Sequence, residues 1–246
     1  MELKITQPTK SLSDFVESFW MIRNDSAEEK EVILLPDGRF DIIFYSAKES
    51  FHTTLRGLDT HPGQAIIPGN VVMFAVSFKL LAIEYLLDIK MAPLLNEGQL
   101  LPKHFWNIEP HDLEDFEGFC TKVSRIMLDL IKFDIDKRKR ELFDLIYTSN
   151  GSMTVQALSD RVAWSRRQIN RYFNERFGLS LKTYCNIFRF KSSLLQIKEG
   201  RFFPELNFAD QTHFIKEVKR FSGVVPKELA KNKNGRFILL SDVSQE

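Results

Sequence analysis

The feature that most constrains this chain is a change of hydrophobic period along its length. Through about residue 100, apolar residues come in short runs bounded by turn signals, as in strands. From Pro110 onward they recur about every 3.6 residues, the helical period. A chain that switches in this way is expected to be α+β, with strands and helices segregated along the sequence. The expected order is a β-rich N-terminal domain followed by an all-α C-terminal domain.

Within the first half, residues 31–35 and 40–45 flank Pro36-Asp37-Gly38, a strong turn signal, and together predict a β-hairpin. Residues 71–78 are apolar on both faces apart from Ser77, as in a strand buried on both sides, after a Pro68-Gly69-Asn70 turn. Leu80, Ile83, Leu86 and Leu87 predict a helix over 79–88. Phe15, Phe19 and Trp20 read as core aromatics. Asp37, Arg39, Asp41 and Arg56 are charged candidates near strands, equally readable as surface turns.

After Pro110, the residues Leu113, Phe116, Val123, Ile126, Met127 and Leu130 mark one stripe behind an acid-rich first turn, Asp112, Glu114 and Asp115. Two readings of this stripe stand: packing on the N-terminal sheet, or a dimer element. Asp136 to Arg140 opens another helix through Leu142, Leu145 and Ile146, which Ser149-Asn150-Gly151-Ser152 stops. The expected divisions are a β-rich domain over 1–134, serving effector sensing or dimerisation, a helical domain over 135–235 and a tail over 236–246.

Charge follows the same division. Residues 1–136 hold 13 basic and 22 acidic residues, a net −9, and residues 137–246 hold 21 and 11, a net +10. A basic half is the usual footprint of a polyanion binder, so a fragment from about residue 135 onward is expected to fold and bind DNA alone. No apolar run approaches the ~20 residues that span a bilayer, and the N-terminus shows no signal-peptide core. Cys120 and Cys185 cannot make a disulfide framework or a four-thiolate zinc site. A cytoplasmic globular protein is expected.

The most specific segment starts at Met153. Thr154 can cap a short helix with the stripe Val155, Leu158 and Val162, and Ser165 can cap a second after a tight turn at Ala163-Trp164. In the second helix Ile169, Tyr172 and Phe173 face one side. Arg167, Asn170 and Arg171 fall at i, i+3 and i+4 on the other. Two short capped helices with a tight turn match helix-turn-helix anatomy, and Arg and Asn read guanine and adenine edges bidentately. Gly178 is a natural helix stop.

The run TVQALSDRVAWSRRQINRYFNERFGLSLKTYCNIFRFKSSLL, followed by NFADQTHFIKEVKRFSGVVPKEL, resembles the C-terminal DNA-binding domain of AraC/XylS-type transcription regulators. The resemblance implies two helix-turn-helix units joined by a long helix, here from about 181 to 197, placing two recognition helices in successive major-groove segments. It implies DNA contacts from Ser165, Arg166, Arg167, Asn170 and Arg171 in the first unit, and from Gln211, Thr212, Ile215 and Lys216 in the second. Lys182, Arg189 and Lys191 would meet phosphates. Asp210 would cap the second recognition helix, Gly223 end it and Pro226 prevent its extension. His213 reads as structural or phosphate-contacting.

One departure stands out. The interval 201–206, with Pro204 inside it, is about one turn too short for the helix the family places before its second recognition helix. Asn207 stands where glycine is usual. The N-terminal segments PTKSLSDFVESFWMI, LPDGRFDIIFYS and VSFKLLAIEYLL resemble the little-characterised β-rich domain found upstream of such regulators. The expected partners are therefore double-stranded DNA, a small-molecule effector, a second copy of the chain and RNA polymerase, with no membrane. No enzyme activity, metal or cofactor is expected. His52, His61, His104, His111 and His213 lack ligand spacing, and the related alkyl-transfer repair regulators need a cysteine-zinc site that Cys120 alone cannot form. The alternative is a protein-interaction module with a degenerate second helix-turn-helix and little specific DNA binding.

Overall fold

The computed structural model describes residues 1–238 except 49, 133, 206 and 207. The chain divides into two compact units. The first comprises Met1–Lys30, Arg39–Leu58 and Ile66–Ile135, and the second Glu31–Gly38, Asp59–Ala65 and Asp136 onward. A β-sheet region thus precedes a helical region, as the change of period requires.

In chain order the strands are β1 (Glu2–Thr6), β2 (Val16–Asn24), β3 (Lys30–Leu34) and β4 (Phe40–Ala47), then β5 (Ser50–Arg56), β6 (Gly63–Ile67), β7 (Val71–Phe78) and β8 (Gly98–Leu100). Six of them form the first unit's sheet, in the order β1-β2-β7-β4-β5-β8, with antiparallel neighbours. β7 lies inside it, and Phe74, Ala75, Val76 and Phe78 are fully buried. This is the continuous apolar run read from the sequence. The expected helix over 79–88 shrinks to one turn, α1 (Ala82–Tyr85), and Asp88 turns left-handed at φ 53°.

The helix α2 (Phe116–Leu130) begins at Asp115, whose carboxylate accepts the Glu117 N–H at 3.1 Å. Phe116 meets Phe74 edge-on at 5.1 Å, and Phe119 meets Phe44 and Phe74, each at 5.3 Å. Val123 and Met127 are fully buried. Of the two readings of the stripe, packing within the unit accounts for these residues, and only Leu128 and Leu130 among the apolar residues of α2 remain exposed.

The predicted hairpin does not form. β3 pairs with β6 in a separate two-stranded sheet, whereas β4 pairs with β5 and β7. Pro36-Asp37-Gly38 fixes a change of direction, with Gly38 at φ +76°, but a turn does not choose the pairing partner. Both edges of β4 are taken by β5 and β7, so β3 pairs elsewhere. Two charged candidates also sit inside the sheet unit. The Arg39 side chain, 2% exposed, pairs with Glu17 at 2.8 Å. Asp41 accepts from the Trp20 indole at 3.2 Å and from the Ser77 hydroxyl.

The second unit contains β3, β6 and the helices α3 (Lys137–Thr148), α4 (Val155–Arg161), α5 (Arg166–Phe177), α6 (Leu181–Ser192), α7 (Leu194–Lys198), α8 (Gln211–Ser222) and α9 (Pro226–Lys231). Phe143, Phe173, Phe177 and Tyr184 interlock, with ring centroids from 5.0 Å (Phe173–Phe177) to 6.1 Å (Phe143–Phe177). A second cluster joins Ile187, Phe190, Leu194, Ile197, Phe208, Phe214, Val218, Phe221, Leu229 and Phe237 to Leu35 of the N-terminal half. Phe237 belongs to the stretch expected as a tail, whose residues 239–246 lie outside the described ones.

The expected joining helix is interrupted at Ser193, which separates α6 from α7. Its hydroxyl donates back to the Phe190 carbonyl at 2.7 Å, a bond that competes with the helical ladder. Because Met127 is core, Met127→Glu is expected to destabilise the sheet unit by about 3–5 kcal/mol, the cost of an unpaired buried charge. Urea unfolding followed by circular dichroism checks this, and a variant of unchanged stability would place Met127 at a surface instead.

Candidate nucleic-acid interface

Both helices of the first helix-turn-helix begin at the expected caps. Thr154 Oγ1 accepts the Ala157 N–H at 3.1 Å. Ser165 Oγ accepts from Gln168 N at 3.3 Å, while Gln168 Oε1 accepts from Ser165 N at 3.0 Å and from the Ser165 hydroxyl at 2.7 Å. This is a closed capping box, which satisfies helix-end donors reciprocally. Between the helices, Ala163 adopts φ +49°, and Ser159 holds the turn shut. The Ser159 hydroxyl donates to the Trp164 carbonyl at 2.9 Å, and Trp164 N–H donates to the Ser159 carbonyl at 3.3 Å. α5 ends at Gly178 with φ +77°.

α5 is two-faced as its spacing predicts. Ile169, Tyr172, Phe173 and Phe177 are buried, and Arg166, Arg167 and Arg171 are exposed. Asn170 is half-buried, and its Nδ2 donates to the Arg166 carbonyl at 3.0 Å, which engages one of its two amide hydrogens locally. Ser165 is exposed, but its hydroxyl is committed to the cap.

Two cations that sequence reasoning used only as a helix start also reach this region. The Arg138 guanidinium lies 5.4 Å from the Trp164 ring centroid, and Lys139 Nζ lies 4.9 Å from that of Tyr172. Only their place in a basic run, Lys137 to Arg140, signalled them. Asp136 caps α3 through Arg138 N at 2.8 Å, and the Arg138 side chain beside it holds its carboxyl below the usual carboxylate range. That contribution is present at neutral pH and is lost as pH falls through the depressed value.

In the second unit Asp210 Oδ1 accepts from His213 N at 2.7 Å, and Gly223 closes α8 at φ +79°. Gln211, Thr212 and Lys216 are exposed, whereas Ile215 is half-buried against the core cluster. His213 Nδ1 accepts the Ala209 N–H at 3.2 Å, a local structural role. No helix lies among the described residues between α7 and α8; Leu206 and Asn207 lie outside them.

The three phosphate candidates on α6 differ. Lys182 is exposed, and Lys191 is half-buried with its ammonium 5.7 Å from the Phe188 ring centroid. Arg189 donates to the Gly151 carbonyl at 3.1 Å and lies over the Phe208 ring at 5.4 Å, and burial lowers its pKa. Cys185 is buried, and burial pushes its thiol up to about 12, so it stays a neutral core residue at physiological pH.

On the sheet unit, a concavity of about 490 Å³ is lined by Trp106, Lys122, Arg125 and Ile126 among others. Lys122 is already bonded to Asn107 O at 2.8 Å and Asp112 Oδ2 at 2.7 Å. Among the described residues there is no group of three or more His, Cys, Asp or Glu able to hold a metal, and no helix is long and apolar enough to cross a membrane.

Residues 4–99 match a domain family described as a domain of unknown function, DUF6597. No curated protein matches. Similar solved structures include ToxT from Vibrio cholerae O395, at 13% identity and a TM-score of 0.44, covering 91% of this chain and 97% of that one. They also include unsaturated fatty acid bound wild-type ToxT from strain SCE256 of the same organism, at 12% identity and a TM-score of 0.40, covering 99% and 96%.

The turn geometry generates a test. A non-glycine residue in the left-handed region costs on the order of 1–2 kcal/mol, so Ala163→Gly, which also loosens the unfolded chain, is expected to stabilise the helical unit by about 0.5–1 kcal/mol. A raised urea midpoint for helical signal checks it; a lowered one would show that the alanine methyl contributes packing that outweighs the strain.

Proposed function

We propose that this chain is a DNA-binding transcription regulator of the AraC/XylS type, acting in the cytoplasm, and that α5 reads base edges in the major groove. The observation that carries the reading is the first helix-turn-helix. A capping box fixes the start of α5, its apolar face is anchored, and Arg167 and Arg171 project from the opposite side. Helix ends held this tightly present side chains in a fixed register, as base readout demands. In this reading residues 1–134 carry effector sensing or dimerisation and 135–235 the DNA-binding function. Arg166 and Lys182 neutralise phosphates, which gives affinity without sequence preference. The chain is not an enzyme in this account.

A second reading, a protein-interaction module with a degenerate second helix-turn-helix and little specific DNA binding, is favoured by the absence of a helix among the described residues between α7 and α8. Gel-shift titration over genomic fragments separates the two. The regulator is expected to bind particular fragments with a steep loss of affinity as salt rises; no shift even at low salt favours the interaction module. On a selected fragment, alanine at Arg167, Asn170 or Arg171 is expected to cost about 1–3 kcal/mol each, and much less on random DNA. Equal losses on both would reduce α5 to a phosphate contact.

A further inference from the structure

The recognition helices are supported differently. α5 packs against α4, its helix-turn-helix partner. α8 packs on α6 and α9, with no helix before it among the described residues back to α7. Residues 199–205 form a loop instead, held by the buried Gln196, whose Nε2 donates to the Phe203 carbonyl at 2.8 Å and the Arg201 carbonyl at 3.4 Å.

The core under α8 is completed by a strand from the other half of the sequence. Leu35 belongs to the cluster that also contains Phe214, Val218 and Phe221 of α8, and Ile33, two residues away and therefore on the same face of an extended segment, packs against that cluster. Leu35 is 6% exposed. Ile33 N–H donates to the Arg236 carbonyl at 2.7 Å, and Ile33 lies in a parallel bridge with Phe237. Phe237 is itself gripped by Asn232, which accepts from Phe237 N at 2.9 Å and donates to its carbonyl at 3.2 Å. At the far end of the segment, the hydroxyl of fully buried Tyr184 donates to the Gly38 carbonyl at 3.1 Å. A Cβ on Gly38 would sit 3.1 Å from the Tyr184 ring and 3.3 Å from Phe188, at a φ of +76°.

We infer that residues 31–38 are a strap that positions the second recognition helix, with Ile33 and Leu35 supplying packing that α5 obtains from a preceding helix. DNA contact by α8 then depends on a segment encoded about 180 residues upstream of it, and a fragment beginning at residue 135 leaves that segment behind. The strap stands on the contacts above; its effect on DNA rests on the proposed function.

The test compares the full-length chain with Leu35→Ala and with Leu55→Ala, a buried β5 residue of the sheet unit, by amide hydrogen exchange and hydroxyl-radical footprinting. In Leu35→Ala, α8 amides are expected to exchange at least about tenfold faster, while α5 and β7 amides stay within about twofold of wild type. The footprint is expected to lose the part made by α8 and keep the part made by α5. Leu55→Ala is expected to speed the sheet and spare α8. Ile33→Ala, which trims the other strap side chain packed on this cluster, gives a milder loss in the same direction if Leu35→Ala folds poorly. Unchanged α8 exchange in both strap variants, or an equal rise in α5, α8 and β7, overturns the strap. A wild-type chain with no footprint on any fragment overturns the DNA reading, and the exchange data then decide the strap by themselves.

Discussion

A phenol buried without residual exposure has to find a partner for its hydroxyl, because leaving it unmade costs more than the bond returns. Tyr184 meets that demand 146 residues away in sequence, at the Gly38 carbonyl. Its ring meanwhile packs on Phe173 at 5.7 Å, in the core that holds α5. The same residue therefore belongs to the support of α5 and bonds the segment that closes the core under α8. Gly38 can accept the arrangement because it has no Cβ to strike the ring and no penalty at positive φ.

The two helix-turn-helix units differ in kind. The first has its local fixtures within a few dozen residues: two side-chain caps, a turn latched by Ser159 and a glycine stop. The second has a cap and a stop of the same chemistry, Asp210 and Gly223, but draws its core from three distant stretches. Caps fix where a helix starts and ends; they do not fix which way it points. Direction comes from packing, and that is where the units diverge.

What could be read from the sequence follows the same line. The caps of α4, α5 and α8, the two-faced character of α5 and the doubly buried β7 are local or periodic, so Ser165, Asp210 and the run through Phe74 announced them. The partner of β3 could not be read. Pro36-Asp37-Gly38 has turn chemistry whichever strand lies beyond it, and the choice of β6 is made by long-range burial. Arg189 carries the same charge in sequence as Lys182, yet one bonds the Gly151 carbonyl and the other is exposed. Only the approach of α6 to the turn after α3 distinguishes them. Arg138 and Lys139 reached the aromatic rings of Trp164 and Tyr172 by the same kind of cross-helix contact, which no spacing encodes.

The discontinuous helical unit also imposes an order of events during synthesis. Leu35 is made about 150 residues before Ile187 and about 200 before Phe237. At roughly 5–20 residues per second, the strand waits on the order of ten seconds or more on the ribosome before its helical neighbours exist. β6, its strand partner, emerges only about 30 residues after it and can cover one edge in the meantime. The apolar face formed by Ile33 and Leu35 has no such early cover from α8. Nascent chains therefore expose this apolar face until α8 and Phe237 have been made.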